Sequence, residues 1–259
     1  SATNTATVWS IAGKWDLGSN FIRLGQFGDI IFFGDAKDNI ITSTNATGTI
    51  QIANNNDYTI KSCTINNTGT GGSITHNAAQ TDNGIWDNLI LGKMNTEGTI
   101  FAGMYSNLRT TSDGVLNGDI SGTVSFSDFQ NESCGFNSVA TCTISGTVKH
   151  CTALTNSFGY ASTLCTISGT IKHCTGTSGC FGFSGVTDAI ISGSVEYCDG
   201  GASCFASAGN GTGTISGSVK KCTAGNYSFS FGYSVAGIIS GTVDTCTAGI
   251  YSFATSANT

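Results

Sequence analysis

Six copies of one phrase, ISG[TS][VI], begin at Ile120, Ile144, Ile167, Ile191, Ile215 and Ile239, at intervals of 24, 23, 24, 24 and 24 residues. A fixed period of this length marks a stacked-repeat architecture and constrains the fold more than any other feature of the chain. Counting the isoleucine as position 0, position +4 holds Val124, Val148, Ile171, Val195, Val219 and Val243. Position +7 holds Ser127 and then Cys151, Cys174, Cys198, Cys222 and Cys246. Position +14 holds Cys134 and then Phe158, Phe181, Phe205, Phe229 and Phe253. Position +16 is often aromatic as well: Phe136, Tyr160, Phe183 and Phe231.

From Ile(0) to Val/Ile(+4) the phrase alternates with the period of a strand, and nothing in the repeat carries a helical period over ten residues. A unit this short cannot bury its apolar side alone. Stacking identical units does so, each strand pairing in parallel with its copy in the next turn. The expected fold is all-β: a single-chain right-handed parallel β-helix of about 24 residues per coil, rising roughly 4.8 Å per coil. Its interior is predicted to hold ladders of Ile144, Ile167, Ile191, Ile215 and Ile239, with the Cys and Phe columns beside them. Residues 1–40 read as N-terminal cap strands, 41–119 as irregular coils and 120–259 as regular coils of one continuous domain. Ile50, Ile74 and Ile100 read as an earlier, looser run of the same series.

Composition agrees. Only 10% of residues are charged while 39% are apolar, so Ser, Thr, Asn and Gly must cover the surface. Thirty-six glycines without a proline point to tight turns between paired strands rather than to a disordered linker. A net charge of −6 with ten basic residues, none clustered along the sequence, gives no footprint for nucleic acid or an anionic membrane. No apolar run is long enough to span a bilayer, and SATNTATVWS has neither the charged nor the apolar region of a signal peptide.

The run TVWSIAGKWDLGSNFIRLGQFGDIIFFG (7–34), followed by TGTIQI and the ISGTV coils, resembles the opening of pectin-lyase-like right-handed parallel β-helices. The resemblance implies the fold and its hand, and a home on a bacterial surface or in a phage tailspike or fibre. Glycan-cleaving members carry clustered carboxylates beside Arg, Lys or His; this chain lacks the N-x-D, D-D, G-H-G and R-x-K series of polygalacturonase-like enzymes. In its regular coils acids are few, Asp188, Glu196, Asp199 and Asp244 with Asp128 and Glu132 in the first copy, and no two share a column on adjacent coils. Paired acids would have to come from the first half: Asp16, Asp29, Asp35, Asp38, Asp57, Asp82, Asp87, Glu97, Asp113 and Asp119.

Four surface patterns remain. Position +5 (Ser125, Lys149, Lys172, Glu196, Lys220, Asp244) predicts an alternating ion ladder from Lys172 to Asp244. His150 and His173, at +6 beside Cys151 and Cys174, invite a zinc reading, but Tyr197, Lys221 and Thr245 continue that column, so a corner histidine beside a core cysteine fits better. No metal or cofactor is implied. Eleven cysteines, an odd number, read as free thiols filling the interior, with Cys180 and Cys204 the pair to test for a bridge. Finally, Ser121, Ser145, Ser168, Ser192, Ser216 and Ser240 at +1, with Thr123, Thr147, Thr170, Ser194, Ser218 and Thr242 at +3, predict a flat hydroxyl grid of the kind ice-binding solenoids display.

The expected function is a rigid, non-enzymatic surface or virion module that adheres to cell-surface polysaccharide. The alternatives are a polysaccharide-degrading enzyme with its site in the first half, and an ice binder using the grid. The last residues, YSFATSANT, stop part-way through a coil, which predicts self-association or a longer chain at that end.

Overall fold

The computed structural model describes residues 8–10, 13–24, 27–52, 57–76, 81–92, 99–111, 116, 118–132, 134–137, 141–161, 163–185, 187–232 and 235–253. Among them there is no helix, and every strand pairing is parallel. The chain is a β-solenoid.

One wall is a 13-stranded sheet whose path runs from Val8–Ser10 through Asp57–Asn67, Ile85–Leu91 and Met104–Thr110 to Thr123–Ser125 and its repeats, ending at Thr242–Asp244. A second, 8-stranded sheet begins at Thr81–Asp82 and ends at Ile238–Ile239. A 4-stranded sheet from Phe136–Asn137 to Ser207–Ala208 closes part of the regular coils. Ile22–Leu24, Gly48–Ile52 and Gly72–His76 form a 3-stranded sheet in the first half.

Repeat positions pair with their own copies: Cys142 with Cys165, Val148 with Ile171, Val195 with Val219. The inward columns are sealed. Ile144, Ile167, Ile191 and Ile215 have no exposed surface, nor do Phe158, Phe181, Phe205 and Phe229. Those phenylalanine rings stack nearly parallel and offset, with centroids 5.3, 5.0 and 4.8 Å apart, a geometry that adds about 0.5–1.5 kcal/mol per pair to area burial. Two corners of each coil place an L-residue in the left-handed region. At +6 these are Phe126, His150, His173, Tyr197, Lys221 and Thr245, with φ between 49° and 53°. At +14 they are Cys134 and the five phenylalanines, between 54° and 64°.

Three features depart from expectation. Ile100 does not continue the Ile50–Ile74 pairing; it pairs with Thr81 and Asp119 in the second sheet and is 38% exposed. The cause is coil length: Trp86, Tyr105 and Val124 are register partners only 19 residues apart, so the column shifts. The phrase is also not one strand. Ser145 and Gly146 both donate to the Ile120 carbonyl at 2.9 Å, so the chain bends there, and the strands Cys142–Ile144 and Thr147–Lys149 lie in different sheets. At the last coil the interior columns open. Ile239 and Cys246 are half-buried and Phe253 is 42% exposed although it stacks on Phe229, because no described coil covers them. Residues 254–259 lie outside the described set.

All eleven cysteines are free, and ten are buried. Burial pushes the Cys63 thiol up to about 12 and those of Cys134 and Cys198 well up, so these thiols stay protonated and inert. Denatured without reductant, the chain should expose all eleven thiols to a titrating reagent; the native protein should react slowly, and first at half-buried Cys246. Fewer than seven reactive thiols in the denatured chain would mean that the columns are bridged.

Candidate functional site

The bend at Gly(+2) decides the fate of the hydroxyl grid. Ser121, Ser145, Ser168, Ser192, Ser216 and Ser240 sit exposed at the corner, after the strand of the second sheet has ended. Thr123, Thr147, Thr170, Ser194, Ser218 and Thr242 begin the strands of the long wall and pair with one another. The two columns therefore flank a turn instead of sharing a plane. Each is a single file of hydroxyls, without the flat two-column array that the ice-binding alternative needs.

The outward partner of +3 on the same wall is +5. Here the ion ladder shrinks to one contact: Lys172 Nζ lies 3.3 Å from Glu196 Oε2, and no further ion pair joins Lys220 or Asp244 among the described residues. Both partners are partly exposed, so the pair contributes a few tenths of a kcal/mol.

The neighbouring +6 column is more unusual. Its side chains face outward at the corner, where they pile ring on ring. Phe126 stacks on His150 at 5.0 Å and 3°, His150 on His173 at 4.9 Å and 7°, and His173 on Tyr197 at 4.8 Å and 20°. Lys221 closes the row, its Nζ 4.9 Å from the Tyr197 ring centre and donating to Tyr197 Oη at 3.0 Å. Phe126 is 58% and Tyr197 42% exposed. This stacking argues against zinc. Imidazole lone pairs lie in the ring plane, and two nearly parallel planes cannot both aim at an ion between them. Among the described residues no group of three potential ligands gathers.

Lys149, Lys172, Lys220 and Lys221 are scattered along the sequence, but the repeat brings them to one corner with His150 and His173, interleaved with Glu196 and Asp244. Lys149 pairs in register directly with Lys172.

In the first half, one constellation has the composition of an acid–base site. The Asp82 carboxylate accepts from Tyr58 Oη at 2.6 Å and from Gly84 N at 2.6 Å; Tyr105 Oη donates to it at 3.1 Å, and His76 Nε2 lies 2.5 Å away. Trp86 Nε1 donates to Tyr58 Oη at 2.8 Å. His76 Nδ1 has no partner. Both side chains of the His76–Asp82 pair have zero exposure, boxed in by Trp86, Phe101 and Tyr105. The network sits where the 3-stranded sheet ends at His76 and the 8-stranded sheet begins at Thr81, so it ties the joint between two wall arrangements. Tyr58 also lines a hollow of about 310 Å³ with Asp29, Thr59, Asn83 and Ile85. Sequence reasoning named Asp82 only as one acid among ten; its partners lie 23 and 24 residues away in unlike phrases.

The other acids are engaged locally. Asp29 accepts from Thr59 N, Asp119 from Thr143 N and Asp188 from Thr212 N. Partial burial alone would raise the Asp87 carboxyl, but hydrogen bonds from Asn107, Lys61 and Ser106 hold it below the usual range. Asp35 and Asp38 pair with Lys37 at the surface. Glu97, Asp113 and the side chain of Asp57 lie outside the described residues.

Burial, reinforced by the Asp82 charge, raises the Tyr58 and Tyr105 phenols well above their ordinary value. A raised acid favours its protonated form in the folded state. Its stabilisation is complete below the unfolded value and fades as pH climbs toward the folded one. With the Cys63, Cys134 and Cys198 thiols raised as well, thermal stability should hold to about pH 8.5 and fall steadily above it. Melts that stay flat from pH 8 to 11 would contradict this.

No family model matches the chain, and neither does any curated protein or solved structure.

Proposed function

We propose that the chain is a non-enzymatic, rigid adhesion or structural module of a cell surface or virion, which presents a polar side of its solenoid to polysaccharide. The observation that carries this reading is the state of the carboxylates. Asp82, the acid best supplied with partners, is sealed in the core under four contacts, while Asp29, Asp87, Asp119 and Asp188 are occupied in holding backbone or neighbouring side chains. Hydrolysis of a glycosidic bond instead requires two acids facing a shared groove. Against that, the outer surface offers files of hydroxyl groups at +1 and +3 along the stacked coils.

A glycan array combined with reducing-sugar release on mixed polysaccharides tests the reading. Binding without release is expected. Release of reducing ends would replace it with the enzymatic alternative, and the absence of any bound glycan would remove adhesion.

A further inference from the structure

We propose that the corner stripe of Lys149, His150, Lys172, His173, Lys220 and Lys221 binds an anionic polysaccharide laid along the solenoid axis; this rests on the carbohydrate-binding reading above and names its site and ligand class.

Charge is the first argument. Of the ten basic residues in the chain, four lysines reach this one corner, although the protein as a whole carries −6. Lys149 and Lys172 are direct register partners, an arrangement of like charges that is unfavourable by itself. Glu196 takes Lys172, and Lys149 has no ion pair among the described residues. On these coils the next outward positions are Thr152 and Thr175, and the acids of that column, Asp128 and Asp199, stand on the coils to either side. An external row of anions would pair the ammonium groups on the coils between.

Backbone conformation is the second argument. Each ring of the stripe stands on an L-residue in the left-handed region, at a cost of about 1 kcal/mol per residue. Large rings are also held in water here, at Phe126 and Tyr197.

Geometry selects the ligand. The faces of His150 and His173 are covered by their neighbours on both sides, so no free face is left to stack on a nucleobase. What points outward is a file of edges, with imidazole N–H groups and ammonium groups as donors. These suit carboxylate or sulfate groups presented in succession. Lys149/His150 and Lys172/His173 offer them on adjacent coils about 4.8 Å apart, and Lys220/Lys221 resume past Glu196 and Tyr197, a spacing out of step with the roughly 3.4 Å phosphate interval of a duplex strand. A linear glycan bearing an anion on successive sugars matches that pace.

The experiment measures binding of the whole chain to dextran sulfate and to a polyuronate, with unmodified dextran and single-stranded poly(dT) alongside. Both anionic glycans should bind, with affinity falling steeply as salt rises, and dextran should not. The double variant Lys149→Gln/Lys220→Gln should weaken binding at least tenfold. Lys14→Gln/Arg23→Gln, which removes the same charge from the exposed N-terminal strands, should change it less than twofold. Circular dichroism melts establish that both variants fold. Equal losses in the two variants, equal binding of dextran, or tighter binding of poly(dT) would each overturn the proposal. If an array finds a neutral glycan bound and the corner variant unaffected, the corner assignment falls and adhesion stands; if no glycan binds, both fall.

Discussion

Gly193→Ala should destabilise the protein by about 3 kcal/mol or more, lowering the melting temperature by roughly 6–12 °C. The reason is stacking, not backbone freedom. A Cβ at Gly193 would lie 2.1 Å from the Gly169 carbonyl oxygen and 2.5 Å from the Ser168 carbonyl carbon. Both are backbone atoms of the coil beneath and cannot swing aside. The same contact recurs at Gly122, Gly146, Gly169, Gly217 and Gly241, so it belongs to the bend itself. None of these glycines has a positive φ in the strained range. Gly185→Ala is the control: the nearest atom to its added methyl is Tyr160 Oη at 3.4 Å, and its effect should stay within about 1 kcal/mol of zero. Similar melts for the two variants would mean that the coils are not stacked as closely as described.

Asp82→Ala should cost about 4 kcal/mol or more. It removes the acceptor for Tyr58, Gly84 and His76 at once, while Tyr105 Oη keeps the backbone carbonyl of residue 82, and each buried donor left unpaired costs about 1–3 kcal/mol. Because a solenoid is held by nearest-neighbour contacts, the damage should concentrate in the coils around residues 57–110. Chemical denaturation is then expected to split into two phases, the first reported by Trp86 fluorescence. Asp188→Ala makes the comparison: that carboxylate is exposed, accepts from Thr212 N alone, and its loss should cost about 1 kcal/mol. An Asp82→Ala protein that melts with Asp188→Ala would show that the buried network does not tie the joint.

The regular half was legible because each of its columns repeats a residue type, so spacing alone identifies the inward knobs at 0, +4, +7 and +14. What the phrase could not reveal was its own bend. The alternation through Ile-Ser-Gly-Thr-Val satisfies a strand pattern, and only the shared acceptor at Ile120 shows two short strands meeting at a corner. In the first half the coil length changes from 26 residues between Ile60 and Trp86 to 19 between Trp86 and Tyr105, and that change hid the true place of Ile100. The Asp82 network was invisible for a related reason: Tyr58, His76, Trp86 and Tyr105 occur once each, in unlike surroundings. The ring row at +6 stood in between. Its residues were in view as a column, but Phe126 and the outward left-handed corner that unites them were not.

In-register stacking is tested most directly by proton–proton contacts in a sample labelled only at phenylalanine. The Phe205 ring should show strong cross-peaks to the rings of both Phe181 and Phe229, which lie 5.0 and 4.8 Å away across adjacent coils. A Phe205 ring with contacts to neither would contradict the stacked solenoid.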